Sequence, residues 1–135
     1  MKLIKVEYAK LKARQQEVFN FQKVAGQLAD YGFNCIKLAD DWQGADFLAY
    51  HVDGKNTLKV QLKSRLTISK KYLGKSLFIA FPVDGVWYLL EHARLVTLVK
   101  KHTPYLASDS WCKHKGYSNG SPNAELVAAL SEWRL

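Results

Sequence analysis

The chain has 135 residues, 48% of them hydrophobic and 13% aromatic, which excludes a disordered polypeptide and suits one domain over 1–135 with a buried core. Twenty Lys and Arg against twelve Asp and Glu give a formal charge of +8, a field that attracts polyanions, nucleic acid first among them. The charged start MKLIKVEYAK lacks the apolar stretch of a signal peptide, and no apolar run reaches the length of a membrane span. The expectation is therefore a soluble, cytoplasmic protein with no membrane partner.

In chain order, Val18, Phe21, Val24, Ala25 and Leu28 recur at helical spacing and predict a helix over about 11–31, stopped by Gly32. FNCIKLA, 33–39, predicts a first strand with Phe33 and Cys35 buried and Ile36 and Leu38 as further candidates. ADFLAYHV and NTLKVQLKS predict the next two strands, joined by a two-residue type I′ turn at Asp53-Gly54. SLFIAFPV and VWYLLEH form a second hairpin across Asp84-Gly85. Leu95, Leu98 and Val99 then place a helix over about 91–101.

Residues 102–120, rich in Ser, Gly, Asn, Lys and aromatics, predict a long loop. Cys112 there, with His102 and His114, matches no structural zinc spacing, and Cys35 completes no CxxC pair, so two free thiols are expected. A last helix is predicted with Ser121 as N-cap, Pro122 at its first position, and Leu126, Leu130 and Trp133 on one stripe. The order of elements is that of an α/β or α+β domain with a core over about 11–101 and a C-terminal loop and helix over 102–135.

The hairpin register brings chemistry together. With Asp53 and Gly54 in the turn, paired positions sum to 107, and Asp46 lies opposite Gln61. Asp46, Lys59, Gln61 and Lys63 then share one face, while Phe47, Ala49, Leu58, Val60 and Leu62 take the core side. A carboxylate and a neighbouring side-chain oxygen can hold Mg²⁺, with waters and substrate phosphate completing the shell. Lys63 would place positive charge beside an attacking water and the phosphorus. A solvated polar strand face gives the same pattern. Trp42 in a polar segment and the alternation of Lys59, Lys63 and Arg65 favour the phosphate reading.

GADFLAYHVDGKNTLKVQLKSR, following an amphipathic helix and YGFNCIKL, resembles the PD-(D/E)XK nuclease superfamily, the restriction-endonuclease-like fold. That superfamily places its catalytic aspartate at the opening of the second strand of a helix-plus-meander core, and its (D/E)XK triplet on the third. VQLK, at 60–63, is similar to the VQxK of a branch that includes small homing endonucleases. The resemblance spans about 13–92. It implies a restriction-endonuclease-like core with an N-terminal helix and a mixed sheet of about five strands flanked by helices. It also implies Mg²⁺ or Mn²⁺ as cofactor, DNA as substrate and a homodimer or higher homo-oligomer.

By position, Asp46 matches the metal-binding aspartate, Gln61 the acidic residue of the triplet, Lys63 the catalytic lysine and Glu17 the helical glutamate. Asp46, Gln61 and Glu17 would hold the metal, and the adjacent Gln15 and Gln16 could contact phosphate. The chain departs from the pattern in three places. Ala45 replaces the proline, Gln61 offers a neutral amide oxygen, and only a dozen residues, RLTISKKYLGKS, separate the third strand from the fourth, where a crossover helix takes that many or more.

SKKYLGK and WCKHKGY interleave cations with aromatics, a combination that suits phosphates and exposed bases. Lys70, Lys71, Tyr72 and Lys75 in the first, Trp111, Lys113 and Lys115 in the second, and the strand residues Lys59 and Arg65 are candidate nucleic-acid contacts. Anchoring of Tyr72 and Trp111 in the core is the alternative. The leading expectation is a metal-dependent endonuclease hydrolysing DNA phosphodiester bonds, with RNA as the other nucleic acid this chemistry admits. A nuclease fold that binds DNA without cutting is the second, and a protein-interaction subunit the third.

Overall fold

The computed structural model describes residues 1–135. The N-terminal helix α1 (Ala13–Ala29) leads into three strands, β1 (Phe33–Trp42), β2 (Ala45–His51) and β3 (Thr57–Leu62). Then come β4 (Leu66–Ser69), β5 (Phe78–Val83), β6 (Val86–Glu91) and α2 (His92–His102). The chain ends with α3 (Asp109–His114), β7 (Gly116–Asn119) and α4 (Ala124–Ala129). The main sheet has the order β1-β2-β3-β5-β6, antiparallel except where β3 and β5 run parallel. This is the expected α+β architecture, a helix and a meander followed by a mixed five-stranded sheet.

The register of the central hairpin is the expected one. Phe47 pairs with Val60, Leu48 with Lys59, Ala49 with Leu58 and Tyr50 with Thr57. Its turn is different. His51 N donates to Asn56 O at 2.9 Å, so four residues, Val52 to Lys55, form the loop, and Gly54 alone has positive φ. The Asp53 carboxylate organises that loop by accepting the Asn56 and Lys55 N–H groups at 2.9 and 2.8 Å, which holds its pKa well below the usual carboxylate range. The I′ geometry, with two successive positive φ angles, occurs instead at Gln43-Gly44 (54° and 87°) and at Asp84-Gly85 (49° and 77°).

Other expectations are revised. The first strand runs to Trp42 rather than Ala39, because Trp42 pairs with Ala45 across the Gln43-Gly44 turn. Ile36 points away from the helix-covered side and is exposed. Val18 is also exposed. The final helix begins after Asn123, whose Oδ1 accepts Leu126 N at 2.8 Å; Ser121 and Pro122 precede it.

The segment 102–120 is not a loop. It contains a short 3₁₀ turn, α3 and β7, and β7 pairs antiparallel with β4 from Leu66–Asn119 to Ser69–Gly116. The crossover from β3 to β5 likewise carries no helix; it is β4 followed by a 3₁₀ turn, Lys70–Tyr72. A two-stranded ribbon therefore stands where a crossover helix was the alternative.

Two apolar layers sandwich the sheet. Val24 and Leu28 of α1 close over Phe47, Ala49, Val60 and Ala80. On the opposite side Leu66 and Ile68 of the ribbon, with Leu95 and Leu126, cover Ile79 and Phe81. Removing water from this surface is the main stabilising contribution.

His92 ties the ribbon to the sheet. It is 1% exposed, its Nε2 accepts Ser69 N at 3.1 Å, and its ring meets Tyr72 edge-on at 5.4 Å. Burial lowers its pKa to about 4, against an ordinary 6.5. The unfolded chain thus binds a proton between these values that the folded chain refuses. Stability is full above pH 6.5 and is lost as the pH falls towards 4, by on the order of 3 kcal/mol. Urea unfolding at pH 7.5 and 4.5 should show this loss in the wild type and a flatter dependence in His92→Gln; equal slopes would refute the assignment.

Candidate active site

A cleft of ≈ 510 Å³ opens where α1 faces the ends of β1, β2 and β3. Glu17, Asp46, Gln61 and Lys63 all line it. Two local features build it. First, the β1–β2 pairing slips between Lys37 and Trp42, so the segment Leu38 to Asp41 bulges out of the ladder. Second, the β2–β3 ladder ends at Phe47–Val60, and the next free amide of β3, Leu62 N, donates to Asp46 Oδ2 at 2.7 Å. A side chain substitutes for a ladder bond, which fixes the carboxylate at the point where the strands part.

Asp46 is half-buried. Loss of solvent is the largest cause of a pKa raised above the ordinary carboxylate value. The Leu62 N–H and the Lys63 ammonium oppose that rise, while the charges of Asp41 and Glu17 add to it. These residues are thus electrostatically coupled across the cleft. Lys63 lies one residue beyond β3, yet its N–H still donates to Ala80 O at 2.9 Å, so its backbone is held by β5. Its ammonium lies 5.7 Å from the centre of the Tyr72 ring, a cation–π distance.

Gln61 is the unexpected member. It was placed on a polar face, yet it is only 7% exposed, on a central strand where it pairs with Ile79 of β5. Its Oε1 is buried without a hydrogen-bond partner in the chain. Such an atom costs about 1–3 kcal/mol unless something satisfies it.

The donor chemistry fits a hard divalent cation. Asp46 Oδ1, the unpartnered Gln61 Oε1 and the Glu17 carboxylate are oxygen ligands of the kind Mg²⁺ and Mn²⁺ take. No three His, Cys, Asp or Glu side chains gather closely enough to form a site by themselves. Glu17 lines the cleft from an exposed turn of α1.

The remaining candidates divide. Gln16 lines the cleft and donates from Nε2 to Tyr8 O at 3.1 Å, whereas Gln15 lies outside it, its Oε1 accepting Lys12 N at 2.9 Å. Lys59 Nζ donates to Lys75 O at 3.1 Å, away from the cleft. Lys70, Lys71 and Arg65 surround the β4–β7 ribbon; Lys70 N donates to Lys115 O at 2.8 Å, and Arg65 Nη2 to Ser118 Oγ at 2.7 Å. Lys113 and Lys115 are exposed at the end of α3. Tyr72 and Trp111, considered as base-stacking residues, are buried; each ring anchors its segment to the core and offers solvent no stacking face.

Residues of the cleft that sequence patterning did not flag are Lys37 of β1, Asp40 and Asp41 of the bulge, Tyr8, Arg14, Asn20 and Ser64. Asn20 is buried and donates to Tyr8 Oη at 2.9 Å, which pins the N-terminal 3₁₀ turn to α1. A bulge has no signature in strand alternation. The adjacent acidic pair Asp40-Asp41 was the one available hint.

No family model and no curated protein matches the chain. Among solved structures, a Holliday junction resolvase, Hjc, from the archaeal hyperthermophile Archaeoglobus fulgidus is similar at 16% identity over 56% of this chain and 72% of that one, with a TM-score of 0.46. The bacterial homing endonuclease I-Ssp6803I is similar at 17% identity over 64% and 70% of the two chains, with a TM-score of 0.49. The chemistry of the cleft rests on the chain's own residues.

Proposed function

We propose that the protein is a divalent-metal-dependent endonuclease that hydrolyses DNA phosphodiester bonds, akin to the branch with a VQxK third-strand motif. The observation that carries this reading is the buried, unpartnered Gln61 Oε1 beside Asp46 and Lys63 in one cleft. Asp46, Gln61 and Glu17 would hold Mg²⁺ or Mn²⁺, which when bound supplies Lewis-acid charge to the phosphate and lowers the pKa of a water. Asp46, fixed by Leu62 N, holds its carboxylate oriented without rearrangement during the reaction. Lys63, held by β5 and the Tyr72 ring, orients the attacking water and offsets negative charge as it develops on phosphorus. The excess of Lys and Arg draws the duplex to this surface. Cutting both strands calls for two such clefts, hence a homodimer or higher homo-oligomer.

The neutral amide at position 61 favours a second reading, a DNA-binding module that no longer cuts. The two separate in one experiment. Plasmid is incubated with protein and Mg²⁺ or Mn²⁺, with Lys63→Ala in parallel. The nuclease reading expects nicked or linear product that EDTA suppresses and a loss of roughly 10²-fold or more in Lys63→Ala. Salt-sensitive binding with no product in either metal would leave the module.

A further inference from the structure

A second groove, of ≈ 280 Å³, adjoins the cleft through Lys63, which lines both. We propose that this groove, between the β4–β7 ribbon and the Lys70–Tyr72 turn, is a phosphate subsite for the DNA strand held in the cleft, occupied by a backbone phosphate to one side of the bond that is cut. The proposal rests on the nuclease reading of the cleft and adds the direction in which the strand leaves it.

The two cavities differ in their carboxylates. The cleft sets Glu17, Asp40, Asp41 and Asp46 among the cations Arg14, Lys37 and Lys63. The groove has ten lining residues, none acidic, and offers Lys63, Lys71 and the hydroxyls of Thr67, Ser69, Ser110 and Ser118. A site of ammonium and hydroxyl donors without a carboxylate suits an oxyanion. The two ammonium groups are positioned, not free. Lys63 and Lys71 lie 5.7 and 5.1 Å from the centre of the same buried Tyr72 ring. One rigid aromatic platform therefore holds a pair of cations at the boundary between cleft and groove.

The hydroxyls are not equivalent. Ser110 Oγ donates to Gly116 O and Thr67 Oγ1 to Arg65 O, so their protons are used within the protein. Ser118 Oγ instead accepts from Arg65 Nη2 at 2.7 Å, which leaves its own O–H to donate. The guanidinium behind it polarises that hydroxyl towards an anion. Ser118 is the cross-strand partner of Thr67, so the donor sits on a paired strand and not on a loose loop. A strand that places one phosphate over Asp46 and Gln61 and another against Ser118 and Lys71 must cross Lys63.

The test uses the full chain and a fluorescein-labelled DNA duplex, read by anisotropy in EDTA. Lys71→Met and Ser118→Ala are each expected to weaken binding about 5- to 20-fold at low salt, with Lys71→Met lowering the salt slope by about 1. Duplexes carrying a single neutral methylphosphonate at successive positions locate the contact. The wild type should lose affinity at one flanking position, and Ser118→Ala and Lys71→Met should be insensitive at that position alone. Losses that add independently at every position, or unchanged affinity in both variants, would overturn the subsite. Inorganic phosphate competing as strongly as the duplex would assign the groove to a free anion and overturn it as well. Mn²⁺ binding, measured by calorimetry, should be unchanged in both variants. Failure of wild-type Mn²⁺ binding, with the methylphosphonate pattern intact, would sink the metal-dependent cleft and leave the phosphate contact standing.

Discussion

Replacing Asp46 by asparagine is expected to abolish Mn²⁺ binding at the cleft and lower metal-dependent DNA cleavage by roughly 10³-fold, without loss of the fold. The asparagine side-chain oxygen can still accept Leu62 N, so the bond that ends the β2–β3 ladder survives. What disappears is the charge. Removing a carboxylate whose ionisation is opposed by burial, Asp41 and Glu17 should also relieve repulsion, and the metal-free variant should melt no lower than the wild type. Titration calorimetry with Mn²⁺ and a plasmid assay check the first half, scanning calorimetry in EDTA the second. Full activity in Asp46→Asn would remove this residue from the site. Asp46→Ala would be the poorer probe, because it also leaves Leu62 N without its partner.

Gln61 is expected to give the larger contrast, since two substitutions should move stability and metal affinity in opposite directions. Gln61→Leu removes the unpartnered oxygen, keeps similar bulk, and should stabilise the metal-free protein by about 1–2 kcal/mol while eliminating divalent binding. Gln61→Glu supplies a second buried carboxylate next to Asp46. It should lower the melting temperature in EDTA through like-charge repulsion, and tighten Mn²⁺ binding about 10-fold or more by restoring the missing charge. Melting curves with and without Mn²⁺ read both effects at once. If Gln61→Leu binds Mn²⁺ as the wild type does, the amide oxygen is not a ligand and the cleft loses its central donor.

Much of this arrangement was legible in the sequence because it is local. Antiparallel strands joined by a short loop have one register that buries Phe47, Ala49 and Val60 together, and that register places Asp46 opposite Gln61 whatever the turn type. The expected turn at Asp53-Gly54 and the observed four-residue loop give the same pairing. The Asp84-Gly85 hairpin was legible for the same reason.

What escaped is non-local. The burial of Gln61 comes with its place on a central strand beside β5, and the cleft's Asp40 and Asp41 depend on a slip in the β1 ladder. β7 has no apolar alternation of its own, so Gly116 to Asn119 reads as loop until β4 supplies a partner. Tyr72 and Trp111 looked like binding aromatics because each stands among lysines. In the fold the lysines remain outside, and Lys70 and Lys71 lie over the buried rings at 5.4 and 5.1 Å.

The pairing of Leu66 with Asn119 also imposes an order in time. During synthesis the N-terminal helix and the meander can form as soon as they emerge, since their contacts are near in sequence. The ribbon cannot close until its second strand has left the ribosome. A proteolytically shortened chain lacking residues 116–119 would keep the cleft but lose the strand that pairs with β4 and supplies Ser118 to the adjoining groove. The groove beside Lys63 therefore takes shape after the cleft it adjoins.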